Sequence, residues 1–277
     1  MLARDFVRVV TLASGRDGVG KTSIVTNLAV ALARQGRRVL VLDEQLGQAG
    51  LAARLGLTPE YDLMHVIRRE KTLDEVIRRG PEGVGIVSAA HGLRALSELD
   101  VEAQGWLVRS FSRLADPVDV VLIDAAPGAE SNIPSLSLAS QEVVVVVSGE
   151  PSAIKDAYAL IKVLNLNVAK RRFHILVSKA QSEEEARTLF GNMAQAANRF
   201  LGVSLDFMGH VPIDEKVAQA GRLFRTVVDA FPAAQAARAF RGLAQAMDQW
   251  PYPSAENGRL DVFMERLIQS SRMTAAG

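Results

Sequence analysis

The chain has 277 residues, 48% of them apolar and 23% charged, with 32 Lys+Arg against 31 Asp+Glu for a formal net charge of +1. That balance excludes an intrinsically disordered chain, a collagen-like repeat and a strongly basic nucleic-acid carpet. A cysteine count of 0 excludes disulfide scaffolds, thiolate zinc sites, iron–sulfur ligation and thiol nucleophiles together, and a reducing, cytoplasmic compartment is expected.

Along the chain, β-branched runs alternate with segments of helical periodicity. Strands are expected at Val7–Leu12, Arg38–Asp43, Val84–Ser88, Val118–Asp124, Glu142–Ser148, Phe173–Ser178 and Leu205–Val211. Between and after them, helices are expected at Lys21–Gln35, Ala103–Ala115, Ser152–Leu164, Glu183–Phe200, Asp214–Gly221 and Ala233–Trp250. The alternation implies an α/β fold, a doubly wound and mostly parallel sheet flanked by helices; runs such as Val143–Val147 are apolar throughout because both faces of such a strand are buried. No apolar stretch approaches the roughly 20 residues that span a bilayer, and the N-terminus lacks the features of a signal peptide. A nucleotide-binding domain is expected over residues 1–249. Residues 250–258, with Pro251, Pro253 and Gly258, read as a linker because they cannot continue a helix. Residues 259–273 then form an amphipathic helix with Leu260, Phe263, Met264, Leu267 and Ile268 on one face.

The most informative stretch is Gly15-Arg-Asp-Gly18-Val-Gly20-Lys21-Thr22-Ser23, which fits G-x-x-x-x-G-K-[ST] between an expected strand and an expected helix. Glycines at 15, 18 and 20 let backbone N–H groups, Val19 included, turn toward phosphate oxygens. The helix beginning at Lys21 adds the positive end of its dipole, Lys21 reaches the β/γ-phosphates, Thr22 can ligate Mg²⁺, and Ser23 lies near the α-phosphate. Two acids fall where a metal edge needs them. Asp124 ends an apolar strand in a Walker B arrangement, and Asp43 ends the second strand; the competing reading of either is a turn-capping residue.

These motifs resemble the MinD/ParA family of deviant Walker A ATPases. The likeness runs through the phosphate loop, Val39-Leu-Val-Leu-Asp43-Glu-Gln-Leu-Gly47, Val121-Leu-Ile-Asp124-Ala-Ala-Pro-Gly128 and Leu205-Asp-Phe-Met-Gly-His-Val-Pro212-Ile-Asp214-Glu. The stretch Glu150-Pro-Ser-Ala-Ile-Lys-Asp156-Ala-Tyr-Ala-Leu-Ile-Lys162 points more narrowly to its flagellar-number branch, the FlhG or FleN regulators. The resemblance implies a P-loop NTPase fold, ATP/ADP and Mg²⁺ as cofactors, and a nucleotide-dependent homodimer. It further implies flagellar regulatory or basal-body partners and peripheral attachment to the inner face of the cell membrane through the terminal helix. The segment carrying Pro212 and Asp214 would close over the base, and Ser178 stands where the family usually has a base-reading Asn.

Several positions depart from the family pattern. The lysine that reaches across the family's dimer is here Arg16, a candidate for the same trans role, and the next glycine is Asp17. The family's second strand ends D-x-D, the second Asp helping to activate water; here the series is Asp43-Glu44-Gln45. Strand alternation puts Gln45 beside Asp43 and Glu44 on the other side, so Gln45 becomes the water-orienting candidate. Slow hydrolysis is therefore expected, with Lys21, Gln45 and Arg16 as its catalytic set. The alternatives are a nucleotide-binding scaffold without hydrolysis and a MinD-like division-site or cargo-positioning protein. For the terminal helix, membrane docking competes with packing on its own domain, and the two can alternate with nucleotide state. The four histidines lack ligand spacing, and the Arg and Lys clusters lack aromatic interleaving, so metal binding by His and direct DNA binding are disfavoured.

Overall fold

In the computed structural model, which describes residues 6–45, 50–127, 133–251 and 258–275, the sequence pattern resolves into one sheet covered by helices. The strands are β1 (Arg8–Ala13), β2 (Val39–Asp43), β3 (Arg78–Arg79), β4 (Gly85–Ser88), β5 (Val120–Asp124), β6 (Glu142–Ser148), β7 (Arg172–Ala180) and β8 (Ser204–Pro212). The first half of the chain carries helices α1 (Lys21–Arg34), α2 (Leu51–Arg54), α3 (Leu63–Ile67), α4 (Leu73–Val76), α5 (Ala90–Ala95) and α6 (Val101–Ser112). The second half carries α7 (Ile133–Ala139), α8 (Pro151–Val168), α9 (Glu183–Leu201), α10 (Glu215–Arg222), α11 (Val227–Ala230), α12 (Gln235–Asp248) and α13 (Leu260–Ala275).

The eight strands lie in the order β3-β4-β2-β5-β1-β6-β7-β8, and every pairing is parallel except the short β3–β4 edge. Both faces are buried, and the strand period of two distributes side chains between them. Val9 and Ala13 of β1 enter one apolar cluster and Val10 and Leu12 the other; Val143, Val145 and Val147 of β6 alternate in the same way with Val144 and Val146. Helices α1, α11 and α12 cover one face, and α6 to α9 with α13 cover the other.

This order places the site. The chain leaves β1 toward β2 on one side, while β6 pairs with β1 on the other. The carboxyl end of β1 is therefore a topological switch point, where an open α/β sheet leaves a crevice for ligands. Asp43 and Asp124 end neighbouring strands in direct register, with Leu12 opposite Asp124 on the other side.

All the strands expected from sequence are present with ends shifted by at most two residues, and the expected helices are present too, α6 ending three residues earlier and α8 four residues later than expected. Six short helices (α2 to α5, α7 and α11) and the β3 edge were not expected. The greater part of the expected linker lies outside the described residues, as do Gly47 and Gly128 of the motifs.

Candidate functional site

The loop between β1 and α1 takes its shape from glycine. Gly18 (φ 83°) and Gly20 (φ 90°) occupy the left-handed region that side chains resist. Gly15 is fixed by proximity instead: a Cβ there would lie 2.3 Å from the carbonyl carbon and oxygen of Asp156, so the loop is seated on the backbone of α8. Neighbouring elements tie it further. Ser178 Oγ donates to Val19 O at 2.7 Å and lies 3.3 Å from Val147 O, while Lys179 Nζ donates to Gly18 O at 2.7 Å. Arg16 donates from Nη1 to Ser152 Oγ, and its Nε stands 3.8 Å from Asp156 Oδ2, both on α8. The residue expected to reach a second protomer is held within its own chain, and Asp17 faces solvent.

Lys21, at the first position of α1, is 5% exposed and pairs with Asp124, which is 0% exposed. The lysine expected on phosphates rests on the Walker B acid. Asp124 Oδ2 is buried without a hydrogen-bond partner among the described residues, a costly state for a carboxylate oxygen. Asp43, opposite it, accepts from Gln45 N at 3.0 Å and Leu51 N at 2.6 Å. Asp43 caps the following turn, as the competing reading held, and stands in register beside Asp124. Burial first, then the charge of Asp124, pushes the Asp43 carboxyl up to about 6, against the two backbone donors and Lys21, which pull it down.

Strand alternation does not continue past Asp43. The turn closed by Gln45 N swings Glu44 inward: it is 3% exposed, its Oε2 accepts from Ala126 N at 2.7 Å, and its own N–H donates to Asp124 O at 3.1 Å. Glu44 is the residue the sequence reading passed over. Its one visible signal was an acid directly after a strand end.

Beside this cluster lies a cleft of about 670 Å³ lined by Val19, Gly20, Ser23, Ser178, Pro212 and Asp214, all expected. Arg54, Val217, Arg222 and Phe224, not expected, line it as well. Asp214 shapes the rim, accepting from Lys216 N at 2.9 Å and Ala236 N at 3.0 Å to join the starts of α10 and α12. Ser178 lines the cleft too, but its hydroxyl proton is directed to the phosphate loop. Thr22 is buried in the first turn of α1.

The apolar face of the terminal helix does not meet solvent. Phe263, Met264 and Leu267 are at most 1% exposed, with Leu260 and Ile268 also buried, all in the cluster beneath α6 and α7. At roughly 1.5–3 kcal/mol for each fully buried large apolar side chain, this seat is strong. The far half of α13 docks through polar groups: Ser270 Oγ donates to Ser135 O at 3.0 Å, Ser135 Oγ and Thr274 Oγ1 are 2.6 Å apart, and Arg272 donates to Leu99 O at 2.6 Å. In this structure the helix is part of the domain.

Among the described residues no helix is long and apolar enough to cross a membrane, and no group of three or more His, Asp or Glu is arranged to hold a metal. A glycine-turned loop before α1, its lysine facing a strand-end aspartate at the switch point of a parallel sheet, defines the P-loop nucleotide-binding class.

Comparison with known proteins narrows the class. A family model described as an AAA domain matches residues 7–176. The chain is 43% identical over 263 residues to the antiactivator FleN of Pseudomonas aeruginosa, covering 95% of this chain and 94% of that one. It is 28% identical to the flagellum site-determining protein YlxH of Helicobacter pylori, covering 74% and 69%. Among solved structures, MinD of Aquifex aeolicus superposes with a TM-score of 0.67 at 21% identity, covering 89% of this chain and 98% of that one. MinD of Pyrococcus horikoshii, solved with Mg-ADP, gives 0.66 at 25% identity over 88% and 96%. The chain belongs to the MinD/ParA family of P-loop ATPases, on its FleN/FlhG side.

Proposed function

We propose that the protein is an ATP-binding, slowly hydrolysing switch that regulates the number or placement of flagella at the membrane. The observation that carries this reading is a coincidence within one molecule. The phosphate loop's lysine rests on Asp124 while the apolar face of α13 is held in its seat. Binding a triphosphate draws Lys21 to the phosphates and frees Asp124, and the release of α13 presents Leu260, Phe263, Met264, Leu267 and Ile268 to a lipid surface. Homology to FleN and YlxH supports the flagellar setting, with flagellar regulatory or basal-body proteins as partners.

The residues present fit a magnesium ion: a buried Asp124 Oδ2 lacking a partner among the described residues, Asp43 beside it in register, and Thr22 at the start of α1. Asp124 and Thr22 would hold it, with Asp43 adjacent, and the bound ion would neutralise charge on the β- and γ-phosphates. Gly18, Gly20 and Lys21 bind and orient the phosphates, and Ser23, Pro212 and Asp214 shape the nucleoside end. Gln45 orients water, which its amide can do without taking a proton. Arg16 exchanges Ser152 and Asp156 for the phosphates of a second protomer, which gives a nucleotide-dependent homodimer.

A second reading, a scaffold that binds nucleotide without turnover, is favoured by one feature: Gln45, at the position where the family resemblance implies a water-activating acid, cannot take a proton. Titration with ATP and ADP plus Mg²⁺, with mass by light scattering and phosphate release in the same samples, separates the two. Dimerisation with slow phosphate release is expected; dimerisation without it selects the scaffold, and no binding at millimolar nucleotide refutes both. For the membrane arm, a chain ending at Gly258 should fail to co-sediment with anionic liposomes in ATP while the full chain succeeds. Equal co-sedimentation would exclude α13 as the anchor.

A further inference from the structure

One aromatic residue lining the cleft beside the phosphate loop stands where a helix end favours glycine. α10 ends at Arg222, and the turn after it closes with Phe224 N donating to Gly221 O at 3.1 Å and Arg225 N donating to Ala220 O at 3.0 Å. This pair of bonds puts Phe224 in the left-handed position, with φ 53°, which glycine commonly fills and bulky side chains resist. Burial does not offset the strain, because Phe224 is 59% exposed. The turn after α2 steadies the side chain: a Cβ at Gly56 would lie 3.2 Å from Phe224 Cβ and 3.3 Å from its Cγ. Strain kept at an exposed ring beside a ligand cleft is a mark of function.

The polar side chains around that ring leave little to read the edge of a base. Ser178 gives its proton to Val19 O, and Asn27 donates to Ser23 O at 2.8 Å and accepts from Val227 N at 2.8 Å. Asp214 accepts from two backbone N–H groups, and Arg225 is paired with Asp229. Arg54 and Arg222 also line the cleft, and among the described residues their side chains make no hydrogen bond or ion pair. Guanidiniums are planar cations that stack on aromatic faces.

We propose that the cleft holds a purine by its faces rather than its edge, against the Phe224 ring and the guanidiniums of Arg54 and Arg222, so that guanine nucleotides enter as readily as adenine ones. The inference rests on the reading that this cleft takes the nucleoside end of a triphosphate. A site that pairs with a polar edge rejects the wrong ligand by orders of magnitude. Stacking accepts either purine, because both present a π-face.

Calorimetric titration with Mg²⁺ and the non-hydrolysable analogues AMP-PNP and GMP-PNP, with tripolyphosphate as a base-free probe, tests this. In the parent the two analogues should bind within about tenfold of each other. Phe224→Gly deletes the ring and relieves the left-handed strain, so the fold is kept. Its affinity for both analogues should fall about tenfold or more, while tripolyphosphate binds as in the parent. Phe224→Tyr keeps the ring and should bind like the parent. Arg54→Gln combined with Arg222→Gln should weaken both analogues more than tripolyphosphate; an equal loss for all three overturns the part given to the arginines. A preference beyond about tenfold for either base overturns holding by the faces. Parent-like binding of the analogues by Phe224→Gly, or a loss that tripolyphosphate shares, overturns the role of the ring. Analogues that fail to bind a parent chain that still takes tripolyphosphate overturn the stacking site and leave the phosphate loop standing, whereas failure of all three refutes the nucleotide reading itself.

Discussion

Replacing Lys21 by Ala removes the cation paired with Asp124, and the structure assigns that change a cost in folding. Both partners are buried, and Asp124 already carries one oxygen without a hydrogen-bond partner among the described residues. Breaking such a pair from one side costs about 3–5 kcal/mol because the remaining charge is stranded. Asp43 amplifies the effect: Lys21 lowers its pKa, so in Lys21→Ala two buried carboxylates face each other with less to offset them. Urea unfolding without nucleotide at pH 8 should therefore show a loss of about 3–5 kcal/mol relative to the parent. At pH 5 Asp43 is protonated in the fold and the repulsion is relieved, so the loss should shrink by roughly 1 kcal/mol or more. The double change Lys21→Met with Asp124→Leu, apolar on both sides, should recover most of the stability. If Lys21→Ala unfolds within about 1 kcal/mol of the parent at pH 8, the pair is not the buried contact described above and the reasoning fails.

Asp43→Asn tests the raised carboxyl directly. With a folded value near 6 against 3.8 in the unfolded chain, the native state holds a proton that the unfolded state has lost, so stability falls as pH rises through that window, by about 3 kcal/mol in all. The Asn variant lacks this fall, and the difference between the two chains should swing by about 2.4 kcal/mol in denaturation series from pH 4, already just above the unfolded value, to pH 8. Gly15→Ala, whose Cβ would sit 2.3 Å from backbone atoms of Asp156, should lower the melting temperature and displace α8. Gly18→Ala, which meets nothing within 4 Å, should cost only the roughly 1–2 kcal/mol of left-handed strain. Leu267→Ala, at a position with no exposure in docked α13, should lose about 2–5 kcal/mol in urea unfolding; a loss below 1 kcal/mol would mean that the helix is not seated.

What the sequence revealed depended on how far each signal reached along the chain. β6 and α9 were legible because valine runs and a full amphipathic period are local patterns. Helices such as α2 or α4, one turn each, are too short to show a period, and they form because tertiary packing covers Leu51 and Leu73. Lys21 and Asp124 were identified by motif, but their mutual contact is a matter of tertiary distance. Ser178 shows the same limit: its position was legible, yet the partner of its hydroxyl, Val19 O, lies 159 residues away. For α13 the period was right, and of the two destinations it left open the structure shows packing on the domain. A stripe of Leu, Phe, Met and Ile reads alike for lipid and for a protein groove, and the discriminating residues were Ser270 and Thr274, polar groups aligned with α7.

The first residue of β1 and the one before it hold both ends of the segment that precedes α13. Arg8 donates to the carbonyls of Met247, Trp250 and Pro251, and Val7 N–H donates to Gly258 O at 2.6 Å. A helix that leaves its seat while Arg8 keeps its grip is tethered by the chain between Pro251 and Leu260, which extends to at most about 30 Å. Within that radius its effective concentration at its own groove is of millimolar order. If a lipid surface takes the helix as proposed above, it must outcompete an intramolecular site at that concentration, and a released helix would return without a diffusive search. Shortening or lengthening the tether would set the membrane density at which the exchange occurs, with neither binding face altered.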